Sequence, residues 1–99
     1  MVYLIECKRD YDTVYKIGYS RYPSKRVNQL KTGNDGNLKV IDTFDGEHER
    51  KIEKTLQNFY SHRKINREWF NLNIEDVIDF TKNCKKIEKN MILLKMEKL

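Results

Sequence analysis

The sequence predicts a small α/β fold: a three-stranded antiparallel sheet flanked by helices, with a further helix at the C-terminus. Two runs of β-branched and aromatic residues, 2–5 and 13–18, stand on either side of a short polar turn. A third alternating run, 38–44, follows a segment opened by Pro23. Beyond it, apolar residues recur at spacings of three and four, the period of a helix with one buried face.

Each element has a local reason. Asp10, Tyr11 and Asp12 supply the turn that pairs the first two strands as an antiparallel hairpin. Gly18 closes the second strand, where it allows a backbone conformation or a close approach that a side chain would hinder. Pro23 suits the first turn of a helix running to Lys31. Val27 and Leu30 then face inward, while Lys25 and Arg26 lie nearer the edge. Gly33, Asn34, Asp35, Gly36 and Asn37 form a dense breaker cluster, read as a loop.

After the third strand, residues 46–61 read as a helix burying Ile52, Leu56, Phe59 and Tyr60. Residues 63–68 are polar and read as irregular, and residues 69–72 as a short apolar return to the core. Asn73 is a suitable cap for a last helix, with Glu75 and Asp76 favourably placed in its first turn. That helix carries Val77, Phe80, Cys84, Ile87, Met91 and Leu94 in a heptad-like stripe shorter than three heptads. Either its first half packs on the sheet while its lysine-rich second half enters solvent, or the stripe joins two copies as a homodimer. The organisation expected is residues 1–72 as the functional domain and 73–99 as an amphipathic helix extending it.

At 99 residues the chain has room for one domain. Charged residues make up 35%, above the usual quarter, but Tyr, Phe, Ile and Leu interrupt them, which argues against disorder. The formal net charge of +5 fits an anionic partner. Between positions 16 and 31 stand Lys16, Arg21, Lys25, Arg26 and Lys31 with no acid. Between 50 and 67 stand Arg50, Lys51, Lys54, Arg63, Lys64 and Arg67 with the single acid Glu53. Two such stretches can form a phosphate-binding face. Cys7 and Cys84 are too few for a disulfide framework, lack metal-ligand spacing and read as buried thiols. With neither a signal peptide nor an apolar run approaching membrane-spanning length, the expected location is intracellular.

Tyr3, Lys16, Arg26 and Glu53 bring a phenol, an amine, a guanidinium and a carboxylate, the parts a metal-dependent phosphodiesterase needs. Val2, Tyr3 and Leu4 in the first strand, with Lys16, Ile17 and Gly18 ending the second, resemble the two tripeptides of the GIY-YIG nuclease superfamily. Arg26 matches the arginine of its first helix and Glu53 the metal-binding glutamate of its second. The run from Tyr15 to Gly18, and Arg63 followed by Glu68, Trp69 and Phe70, resemble the phage T5-type DNA-binding subgroup shared with fungal meiotically up-regulated proteins. The resemblance covers roughly residues 2 to 72.

It implies DNA as substrate, with RNA open, and Mg²⁺ or Mn²⁺ held by Glu53. Mg²⁺ suits a single carboxylate because it keeps several waters and takes other ligands from phosphate. Tyr3 would orient or deprotonate the attacking water, and its phenol, ordinarily near pKa 10, would need a neighbouring cation, for which Lys16 is the candidate. Arg26 would grip the scissile phosphate bidentately. Arg21, Lys25, Lys31, Lys54, Arg63, Lys64 and Arg67 would bind the nucleic-acid backbone, with Gly18 and Tyr19 lining the cleft. Departures from the pattern are Leu30 and Gln57, where histidines are frequent, and Lys16 in place of the superfamily's second tyrosine. A non-catalytic DNA-binding module of the same fold remains the alternative, and a protein-interaction domain using the last helix a second one.

Overall fold

A computed structural model describes residues 1–31 and 37–97. The elements run β1 (Val2–Lys8), β2 (Thr13–Tyr19), α1 (Pro23–Lys31), β3 (Asn37–Phe44), α2 (Glu49–Phe59), β4 (Lys64–Asn66), β5 (Trp69–Phe70), α3 (Ile74–Ile78) and α4 (Phe80–Glu97). The strands form one antiparallel sheet in the order β3-β1-β2-β5-β4.

The sheet therefore has five strands where the sequence predicts three. The two additional strands are short: β4, residues 64–66, is polar and falls in the segment read as irregular, and β5, residues 69–70, is the start of the run read as an apolar return to the core. Their pairing is set by tertiary contact, Tyr15 opposite Phe70 and Lys16 opposite Trp69, rather than by an apolar alternation. Arg67 turns the chain between them with a positive φ of 45°, a conformation uncommon for any residue but glycine.

Strand periodicity divides the core. Val2, Leu4, Tyr15 and Ile17 pack on one face with Ile52 and Leu56 of α2 and with Phe80 and Cys84 of α4. Tyr3, Ile5, Cys7 and Val14 pack on the other with Val27 of α1 and Leu38. Successive side chains of a strand point to opposite faces, so β1 and β2, central to the sheet, are buried on both. Val2, Leu4, Ile5 and Ile17 are fully buried, each stabilising the fold by roughly 1.5–3 kcal/mol. At the hairpin turn, Arg9 donates twice to the Asp12 carboxylate and its backbone N–H bonds the Asp12 carbonyl.

The helices are shorter or more broken than expected. α2 begins at Glu49, after His48 in a left-handed conformation (φ 59°), and ends at Phe59. Tyr60 is buried as expected, but Phe59 is 61% exposed. Asn73 caps as expected: its side chain accepts from the Asp76 N–H while Asp76 accepts from the Asn73 N–H. The expected single helix is nevertheless divided at Asp79 into α3 and α4. Phe80 and Cys84 are fully buried, Val77, Ile87 and Met91 pack on the same core, and Ile92, Leu93 and Leu94 are exposed. Both thiols are free and buried; burial pushes Cys84 up to about 12. The breaker cluster lies outside the described residues as far as Gly36, and Asn37 already belongs to β3. Among the described residues no helix is long and apolar enough to cross a membrane.

Candidate active site

Tyr3 and Gly18 face each other across β1 and β2. The Tyr3 ring lies against the Gly18 Cα: a Cβ built there would stand 2.7 Å from Tyr3 Cε1 and closer still to Cζ and Oη. Glycine is thus required by the close approach of an aromatic ring, since its φ is not positive. The ring is 1% exposed, and Ile5, Val14 and Val27 belong to the same cluster.

Burial pushes the Tyr3 phenol above its ordinary value of 10.0. The Arg26 guanidinium opposes that rise, as hydrogen-bond donor and as positive charge, while Glu68 and Glu53 reinforce it. The cation that acts on the phenol is thus Arg26 of α1, while Lys16, the candidate from the sequence, is engaged by Glu68. Arg26 also donates to Gln29 at 3.4 Å along its own helix.

Lys16 has a different partner. Its side chain is buried, its Nζ lies 2.7 Å from Glu68 Oε2, and the same ammonium sits 5.4 Å above the Trp69 ring. The pairing of β2 with β5 makes this contact, and the Ile17 N–H bonds the Glu68 carbonyl at 3.2 Å. Glu68 stands in the sequence only as part of a motif; its place beside Lys16 depends on a strand that no local signal announces.

Glu53, on α2, is half-buried. Burial raises its carboxyl above the ordinary 4.5, and the Glu68 carboxylate raises it further, whereas Lys54, Lys16 and Arg50 pull it back. One turn on, Gln57 donates to the Ile17 carbonyl at 3.0 Å and ties α2 to the second motif strand. The position where a histidine is frequent is thus a tether between helix and sheet. Tyr3, Lys16, Arg26, Glu53 and Glu68 come from β1, β2, α1, α2 and the β4–β5 turn, and act on one another electrostatically.

Among the described residues no group of three or more His, Cys, Asp or Glu side chains could hold a metal ion. The carboxylates here are Glu53 and Glu68, whose charge acts on Glu53; a hydrated Mg²⁺ or Mn²⁺ needs only one or two carboxylates and fills its shell with water and phosphate oxygens.

The outer basic residues divide into two kinds. Arg21, Lys25, Lys31, Lys54, Lys64 and Arg67 are exposed, and among the described residues none has a carboxylate ion-pair partner. Lys25 lies over the Tyr22 ring at 5.0 Å. Arg63 is different: its Nε stands 3.1 Å from Asp76 Oδ2, an ion pair without an aligned hydrogen bond, and it is only partly exposed. It fastens the chain before β4 to the cap of α3. Gly18 is buried and Tyr19 half-buried, with Arg50 over the Tyr19 ring at 5.6 Å.

The model of the T5orf172 domain matches residues 1–90, nearly the whole chain. The chain belongs to the T5orf172 domain family. That family is related to the GIY-YIG nuclease fold, in keeping with the order of strands, helices and polar residues seen here. The T5orf172 match extends beyond residue 72 through α3 and into α4. No curated protein and no solved structure matches the chain.

Proposed function

We propose that this T5orf172 domain is a metal-dependent DNA endonuclease that hydrolyses phosphodiester bonds at Tyr3, Arg26, Glu53 and Lys16. The observation that carries this reading is the mutual electrostatic influence of Tyr3, Arg26, Glu53 and Glu68, drawn from distant parts of the sequence. Perturbed acids gathered in one place are characteristic of functional sites.

Glu53, with Glu68 beside it, would hold Mg²⁺ or Mn²⁺. When bound, the ion would supply positive charge to the phosphate oxygens and leaving group. Arg26 neutralises charge on the scissile phosphate through its planar pair of donors. Tyr3 Oη, kept protonated by burial, orients the attacking water through a hydrogen bond rather than standing ionised at rest. Lys16, anchored by Glu68, keeps its positive charge near Glu53 and offsets the repulsion between the two carboxylates.

One observation favours a second reading, a DNA-binding module without catalysis: the Tyr3 side chain is almost fully covered, which restricts the access of water. Incubating the purified chain with supercoiled plasmid across a series of Mg²⁺ and Mn²⁺ concentrations distinguishes the two. Conversion to nicked or linear DNA supports the endonuclease; retarded but uncut plasmid supports the binding module.

A further inference from the structure

A cavity of about 590 Å³ opens where β2 ends and α2 begins. Its lining includes Tyr19, Arg21, His48, Glu49, Arg50 and Lys51. The volume falls within the range of small-molecule sites, about 300–1,000 Å³. It adjoins the candidate active site: Tyr19 follows Gly18 directly, Glu49 precedes Glu53 by one helical turn, and the Arg50 charge acts on Glu53.

The charges in this cavity are unevenly satisfied. Glu49 is already engaged, by the Met1 ammonium at 2.6 Å and the Gly46 N–H at 3.3 Å. Arg21, Arg50 and Lys51 have no carboxylate ion-pair partner among the described residues. The Arg50 guanidinium instead stands over the Tyr19 ring. The lining cations (the Met1 ammonium, Arg21, Arg50 and Lys51) thus outnumber its acids, Asp45 and Glu49, and stand beside an aromatic–guanidinium pair, the combination that holds unpaired nucleotides by phosphate attraction and stacking. A fully paired duplex keeps its bases stacked inside and has no use for such a recess.

Resting on the nuclease reading, we propose that this cavity receives an unpaired nucleotide adjoining the scissile phosphate, so that the substrate is DNA with a single-stranded flap or frayed end. Arg21 and Lys51 hold the phosphate of that nucleotide, and its base lies against the Tyr19–Arg50 pair. The site therefore selects DNA by the presence of an unpaired base rather than by sequence.

The test measures binding in EDTA, where cleavage does not intervene. Two oligonucleotide duplexes are compared, identical except that one ends in a single-stranded flap whose first base is 2-aminopurine. Wild-type protein is expected to bind the flap duplex about tenfold more tightly, with a change in 2-aminopurine emission. Tyr19→Ser and Arg21→Gln should each reduce that preference several-fold, read as the ratio of the two affinities so that any loss of backbone contact common to both duplexes cancels. Arg21 is exposed, so its replacement does not put folding at stake. Equal affinity of wild-type protein for the two duplexes, or a preference unchanged in both variants, overturns the assignment of the cavity and leaves the nuclease reading standing. Failure to bind either duplex overturns both.

Discussion

The Tyr3 ring occupies the space that a side chain on Gly18 would fill. One cross-strand pair thereby joins the two motifs on which the family resemblance rests. Gly18 leaves the β2 surface open, the aromatic ring covers it, and the phenol is delivered to Arg26. The glycine is therefore a condition of the tyrosine's position.

Gly18→Ala should cost about 1–3 kcal/mol of stability, the usual penalty for forcing extra volume into a packed core. In a Gly18→Ala, Tyr3→Ala double variant the clash is gone. Urea unfolding of the four proteins should then give a combined cost smaller than the sum of the single costs by about 1 kcal/mol or more. Additive costs would mean that the ring and the glycine are independent.

At sub-saturating Mg²⁺ the acid limb of activity should lie above the ordinary carboxylate range, because Glu53 must lose its proton before it takes the ion, and in the metal-free site burial together with Glu68 raises it. Glu68→Gln removes one of the raising charges, so the limb should move to lower pH. The stability linkage has a defined sign: Glu53 holds its proton more firmly folded than unfolded. Its contribution is fully present below the unfolded value, near 4.5, and is lost as pH rises through the folded one. A cleavage profile and urea midpoints between pH 4 and 8 check both statements. A limb that stays in place in Glu68→Gln would separate Glu68 from the site.

The basic residues of the β4–β5 region should differ in effect. Neutralising Lys64 and Arg67, both exposed and without a carboxylate ion-pair partner among the described residues, should reduce the slope of log affinity against log salt by about 1.8 if each meets one duplex phosphate. Arg63→Gln should change that slope little and instead lower stability by about 1 kcal/mol, because it breaks the partly buried contact with Asp76. Filter binding across salt concentrations, paired with thermal unfolding, distinguishes these results. A large slope change in Arg63→Gln would put that residue on the DNA face.

Much of this was legible in the sequence for local reasons. β1, β2 and β3 have alternation or apolar runs, α1 has Pro23, and α3 has the Asn73 cap. Tyr3, Lys16, Arg26 and Glu53 were legible as types in an order. β4 and β5 were not, because Lys64, Ile65 and Asn66 are all exposed and the pairing depends on β2 rather than on their own pattern. For the same reason the partner of Lys16 was hidden: Glu68 reaches it only because β5 lies beside β2. The exposure of Phe59 and burial of Tyr60 reflect where α2 ends, which the apolar spacing does not fix to a residue.

The most direct test is cleavage by Glu53→Gln, which removes the carboxylate while keeping side-chain size and helix propensity nearly unchanged. If Glu53 is the metal-holding group of a nuclease, plasmid cleavage in Mg²⁺ or Mn²⁺ should fall by at least about a hundredfold. Affinity for DNA in EDTA should hold or rise slightly as a negative charge is lost. Wild-type protein that binds DNA yet cuts neither plasmid nor a flap duplex, or Glu53→Gln protein that cuts as fast as wild type, would contradict the account.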